Sequence, residues 1–197
     1  KEKAMSKVSN VWVFSDAANR LEEVMGGAKE LGEKVICFVM NAEDAKKAFA
    51  LGADEALVAK EGELAENLIP SFAKALSGQN GIVLMPNSRR CKAVAAMLGA
   101  KLNAGVCTEV NEVSVEGGVV CKRMMYGGLA VGSEKIASSI AIIVANSGAF
   151  APAQANSASD KEPKALEFVE PKSAIKCLNK LPKQSSSVDL NKAKRIV

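Results

Sequence analysis

The sequence has 197 residues, 48% of them hydrophobic but only 4% aromatic, which suits one α/β domain with a Val, Leu, Ile and Ala core plus an extension, and is too short for two full domains. Histidine is absent, which excludes Ser-His and Cys-His triads and imidazole metal ligation. The net charge of +4 lies in the tail: from Asp160 onward there are nine of the 26 Lys and Arg and five of the 22 Asp and Glu, leaving 17 of each sign before it. With Phe168 as its one aromatic, that tail reads as a solvated basic appendage rather than a nucleic-acid surface. No apolar run approaches the roughly 20 residues of a membrane helix, and the Lys-rich start lacks the apolar segment of a signal peptide. The chain is therefore expected to be cytoplasmic, with no membrane insertion.

In chain order, residues 11–15 (Val-Trp-Val-Phe-Ser) are a first strand. Asn19 with Glu22 resembles a capping box for a helix whose apolar stripe is Leu21, Val24, Met25, Ala28 and Leu31, stopped by Gly32. Gly26-Gly27 in its middle either marks close packing of the helix on the sheet or carries no special role. Residues 34–40 are a second strand, apolar throughout from Val35 to Met40, and Asn41 with Asp44 opens a short helix closed by Gly52. Residues 55–58 form a third strand. A helix with the stripe Leu68, Ile69, Phe72, Ala73 and Leu76 follows, starting near Asn67 so that Pro70 falls in the first turn, where amides lack partners anyway.

Residues 81–86 form a strand buried on both faces, since four apolar residues run on without polar alternation. Asn87 or Ser88 caps the next helix, in which Cys91, Val94, Ala95, Leu98 and Leu102 share one face. Four strand-helix alternations predict a Rossmann-like α/β fold, a mostly parallel sheet flanked by helices. The pattern then breaks. Residues 109–115 alternate, Gly117-Gly118 is a turn, and residues 119–126 return, an antiparallel β insertion in the C-terminal half. Residues 141–145 are a further buried strand, expected to return to the main sheet. Residues 151–163 read as a linker or surface loop, and residues 164–169 and 174–181 as two more strands. The apolar end Ile196-Val197 points to a truncated element. The expected division is thus residues 1–150, a Rossmann-like domain with a β-hairpin insertion; 151–187, linker and additional strands; and 188–197, the start of a further domain.

Little catalytic chemistry is visible. The five cysteines never come closer than 14 positions and contain no Cys-x-x-Cys, so they read as small buried hydrophobes in a reducing compartment. The turn after the first strand, Ser15 to Asn19, has no glycine and carries Asp16, and no Gly-x-Gly-x-x-Gly or Walker sequence occurs, which argues against phosphate binding. Ligands of parallel sheets meet the carboxyl ends of the strands, which directs attention to Asn87 through Arg90. Arg89 and Arg90 read either as a clamp for carboxylate or phosphate or as partners in a salt bridge across an interface. Tyr126, the one tyrosine, is either a packed aromatic at a bend or an interface anchor.

Four stretches carry a resemblance: Val11-Trp12-Val13-Phe14-Ser15-Asp16; Leu84-Met85-Pro86-Asn87-Ser88-Arg89-Arg90-Cys91-Lys92; Lys122-Arg123-Met124-Met125-Tyr126-Gly127-Gly128-Leu129-Ala130; and Ser186-Ser187-Val188-Asp189-Leu190-Asn191-Lys192-Ala193-Lys194. In this order they are similar to the alpha subunit of electron transfer flavoprotein, closest to the bacterial branch associated with anaerobic carnitine-type acyl-CoA metabolism and nitrogen fixation. Cys91 stands where glycine is common in that branch. The resemblance implies the N-terminal domain of an electron carrier rather than an enzyme. Such a domain serves as scaffold and as an interface with the electron transfer flavoprotein beta subunit, with Arg89, Arg90, Arg123 and Tyr126 the interface candidates. It further implies a partner dehydrogenase of acyl-CoA type, a downstream acceptor, and FAD in the complete protein. In the family FAD lies mainly in a C-terminal domain, entered by a loop beyond the segment that resembles residues 188–197. No flavin contact carries over to this sequence, and none is expected in this chain alone. The alternative is a free-standing adenine-nucleotide-binding regulatory module.

Overall fold

A computed structural model describes residues 6–16, 18–155, 160–179, 181 and 193–195. Its spine is a parallel run of strands: β1 (Val8–Phe14), β2 (Gly32–Val39), β3 (Glu55–Val58), β4 (Gly81–Pro86) and β8 (Ile140–Ala145). Between them lie α1 (Leu21–Leu31), α2 (Ala42–Ala50), α3 (Ile69–Leu76) and α4 (Arg89–Leu102). With β5 (Gly105–Val115), β6 (Val119–Met125), β7 (Ala130–Ile136) and β9 (Lys164–Ala165), the sheet order is β7-β6-β5-β8-β4-β1-β2-β3-β9. All pairs are parallel except β5 with β6 and β6 with β7.

Alternate residues of the central strands feed two cores, as a sheet covered on both faces requires. Val11, Val13, Val35, Cys37, Ile82, Leu84 and Ile143 face α1 and α2. Trp12, Phe14, Ile36, Phe38, Val83, Met85 and Ile142 face α3 and α4, where Phe72 stacks on Phe38 at 4.5 Å between ring centroids. The expected Rossmann-like architecture is present, and β8 slots between β4 and β5, returning to the main sheet as predicted.

The antiparallel part does more than form a hairpin. β5 begins in the main sheet, pairing Cys107 with Ile143, then shifts register between Cys107 and Val110, where Glu109 adopts φ 59°. Beyond that bulge, Val110, Val113 and Val115, with Val119 and Cys121 of β6, pack into the same core as α1, so the chain folds back over the sheet. The Ser6 hydroxyl bonds to the Val115 carbonyl at the far end of this layer. β7 was missed by sequence because Ala130 to Ile136 has no apolar side: exposed and half-buried positions alternate, and both sets carry polar residues.

Other local expectations needed correction. The capping box at Asn19 does not form; a 3-10 turn (Ala18–Arg20) leads straight into α1, whose N-cap Arg20 makes no side-chain cap bond. Gly26 and Gly27 accommodate the chain after β8 rather than the sheet: a Cβ on Gly26 would lie 1.9 Å from the Ala151 carbonyl oxygen, and one on Gly27 2.5 Å from the Phe150 ring. The strand expected over 164–169 is the two-residue β9, and no strand forms among the described residues of 174–181. That stretch is a strap held by side chains instead. Ser71 Oγ accepts from Val169 N at 2.9 Å; Asn67 Oδ1 accepts from Ile175 N at 2.8 Å and its Nδ2 donates to Ile175 O at 3.0 Å. Asn67 and Ser71, the buried polar residues of the described core, are thus satisfied by the strap. The expected further domain start at 188–197 lies mostly outside the described residues.

Candidate functional site

The strand order reverses between β1 and β4, the point where open α/β sheets form a crevice at their carboxyl edge. A cleft of about 300 Å³ lies there, lined by Ser15 and Asp16 after β1, Met40 and Asp44 after β2, Glu63 and Leu64 before α3, and Arg90 of α4, among others. Its charges are mostly committed. Arg90 Nε donates to Glu66 Oε1 at 3.1 Å, Asp44 Oδ2 accepts from Asn41 Nδ2 at 2.8 Å, and Glu63 Oε2 accepts from Asn67 Nδ2 at 3.1 Å. Asp16 Oδ1 accepts from the Cys91 thiol at 3.3 Å, and burial pushes that thiol up to about 11. Three carboxylates face one cation that is already paired. The diphosphate of FAD or another dinucleotide does not fit such a lining: the turn after β1 lacks glycine and adds Asp16 where phosphate would need bare amides.

The second feature is the surface where the folded-over layer meets this edge. Ser88 rather than Asn87 caps α4, accepting from Cys91 N at 3.0 Å, while Asn87 Nδ2 donates to Asn146 Oδ1 at 2.6 Å. Asn146 in turn donates to Glu109 O and Asn111 Oδ1, fastening the bulge to the end of β8. Lys92 of α4 reaches Glu109 Oε1 at 2.7 Å, and this bond, with Arg123 adding its charge, holds the Glu109 carboxyl below the usual glutamate range. Arg123 sits opposite Val110, its Nε and Nη2 both donating to Glu134 Oε1 at 3.1 and 2.9 Å. Tyr126 follows the end of β6 at φ 52°, in a turn with Gly127 and Gly128.

The four residues singled out in the sequence therefore meet different fates. Arg89 is exposed at the start of α4; Arg90 and Arg123 are engaged in ion pairs within the chain; Tyr126 is 77% exposed. Around Tyr126 lies a patch that sequence reasoning missed: Met124 60%, Leu129 89% and Val131 68% exposed, with Met124 and Val131 directly cross-paired on β6 and β7. The signal was available in Lys122 to Ala130, where large apolar residues crowd a glycine turn with nothing nearby to bury them. Among the described residues, no group of three or more Cys, Asp or Glu is placed to hold a metal ion, and no helix is long and apolar enough to cross a membrane.

Comparison with known proteins places this geometry in context. A family model described as electron transfer flavoprotein domain matches residues 11–171. The chain is similar to Protein FixB of Salmonella typhimurium (strain LT2), with 40% identity over 200 aligned residues, covering 98% of this chain and 64% of that protein. The same figures hold for Protein FixB of Escherichia coli (strain UTI89). The chain thus spans somewhat less than two thirds of the length of these relatives.

Proposed function

The chain belongs to the electron transfer flavoprotein family, in its alpha-subunit branch, and on that premise we propose that it is the scaffold and subunit-interface part of an electron-carrying heterodimer. The observation that carries this reading is the apolar patch of Met124, Tyr126, Leu129 and Val131. Large side chains 60–89% exposed, two of them cross-paired at the ends of β6 and β7 and two in the turn between, have the composition of an interface centre. Its occupant in this proposal is the beta subunit.

FAD in the whole protein would supply the electron chemistry, accepting from a dehydrogenase of acyl-CoA type and releasing to a downstream acceptor, all in the cytoplasm. Because the carboxyl-edge cleft does not accept a diphosphate, the flavin contacts belong to other residues of the full protein. This chain's part is positional: Lys92, Glu109 and Asn146 lock α4, the bulge and β8 together, so the patch is presented on a stiff support. The test is the affinity of the full-length subunit for the beta subunit. Arg89→Glu combined with Tyr126→Ala should weaken it at least tenfold, about 1.4 kcal/mol, without loss of fold. Unchanged affinity would reject the interface assignment. A thermal shift with AMP, about 2.7 kcal/mol at 100 times the dissociation constant, would instead support a nucleotide-binding module.

A further inference from the structure

We propose that Cys107 and Cys121 are a peroxide-sensitive dithiol that closes to a disulfide, tying the main sheet to the layer folded over it. Fourteen positions apart in sequence, they come together because β5 turns back at the Glu109 bulge. Cys107 remains in the main sheet opposite Ile143, and Cys121 lies in the layer above, opposite Val113 and Glu134. Both belong to one core cluster, and both lie beside Glu134, which is the cross-strand partner of Cys121. The Cys107 sulfur also donates to Glu134 Oε2 at 3.4 Å. That carboxylate, with Arg123 on its other oxygen, forms a half-exposed lid over the pair, its side chains 31% and 38% exposed.

The two sulfurs are not equivalent. The neighbouring Cys121 pulls the Cys107 thiol below its ordinary range, against burial and the Glu134 carboxylate and with the Arg123 charge in the lowering sense, while Cys107 and burial raise Cys121. Elsewhere in the core, burial pushes Cys37 up to about 12 and Cys91 to about 11, so those thiols are held inert. The thiol shifted down is the one that loses its proton to attack, and the one shifted up keeps its proton until it resolves the product.

With hydrogen peroxide as oxidant, the Cys107 thiolate attacks one oxygen, breaking the O–O bond to give a sulfenic acid and hydroxide, which takes up a proton as water. The Cys121 sulfur then attacks the sulfenic sulfur, the S–S bond forms, and a second water leaves with the Cys121 proton. The two thiols lose two electrons and two protons, and the peroxide is reduced to two waters. The product pins β6 to β5 beneath Arg123, on the side of the layer that ends at Tyr126.

The experiment treats the reduced full-length protein with hydrogen peroxide under native conditions, then unfolds it in N-ethylmaleimide and digests with trypsin. No Lys or Arg lies between Leu102 and Lys122, so both cysteines fall on one peptide. Expected is that peptide lacking two hydrogens and carrying no maleimide, at a peroxide dose where the Cys37 and Cys91 peptides stay fully labelled, with reversal by dithiothreitol. In Cys121→Ser, Cys107 should stop at sulfenic acid, captured by dimedone; in Cys107→Ser, Cys121 should stay reduced. Two maleimides on the wild-type peptide after the exposed Cys177 has oxidised would overturn the proposal, and so would a disulfide formed only between molecules. The wild-type result stands alone if a variant does not fold.

Discussion

The parallel half of the sheet and the antiparallel layer spend the same residue types in opposite ways. In β4 and β8 every residue is buried, because helices or the folded layer cover both faces. In β6, β7 and the turn between them, the inner positions Val119 and Cys121 are buried, whereas Met124, Leu129 and Val131 are exposed with nothing described over them. The first region is a core that needs its apolar residues to fold; the second keeps large apolar residues it does not need for folding. Such surplus is the mark of a surface meant for another molecule.

The difference is sharpest under truncation. Ile142→Ala in β8, fully buried between β4 and β5, should cost about 2–5 kcal/mol in denaturant unfolding, whereas Val131→Ala should stay within about 0.5 kcal/mol. Equal losses at the two sites would erase the distinction. Gly27→Ala should also destabilise, by about 1–3 kcal/mol, since a Cβ there meets the Phe150 ring at 2.5 Å; helix propensity alone predicts a gain.

Smaller effects probe what the sheet holds at its other edge. Asn67→Ala removes both bonds to Ile175 and should cost about 1–2 kcal/mol, read more directly as faster proteolysis near residue 175 while the core remains intact. Smallest is the pair at β3. The hydrogen bond from Lys34, with Lys164 adding to it, holds the Glu55 carboxyl below the usual glutamate range. Its stabilisation is complete above the unfolded value of about 4.3 and is lost as pH falls through the lower folded value. Glu55→Gln should therefore cost under about 1 kcal/mol at pH 7, and the gap to wild type should close in acid. A gap that widened in acid would contradict this sign.

The parallel half was legible in the sequence because its strands are largely apolar and its helices carry single stripes; that logic reached the short strand at 55–58 and narrowed the α4 cap to Asn87 or Ser88, and the fold selects Ser88. The layer was half legible. Alternation marked β5 and β6, but the fold-back depends on one bulge at Glu109, and β7 has no apolar face to announce it. The strap could not be read, since Asn67 and Ser71 substitute side chains for the strand pairing that periodicity detects. At the candidate site, the absence of a phosphate loop followed from the residues, whereas the exposure of Arg89 and Tyr126 required the fold. The pairing of Arg90 with Glu66 and of Arg123 with Glu134 required the fold, because each partner comes from a different element.

The most direct test of the interface is hydrogen exchange of the full-length subunit with and without the beta subunit. The account predicts that binding slows exchange across residues 124–131 and at the start of α4 and leaves α3 unchanged. Protection confined to α3 or the strap, with 124–131 exchanging as freely in the complex as alone, would contradict it.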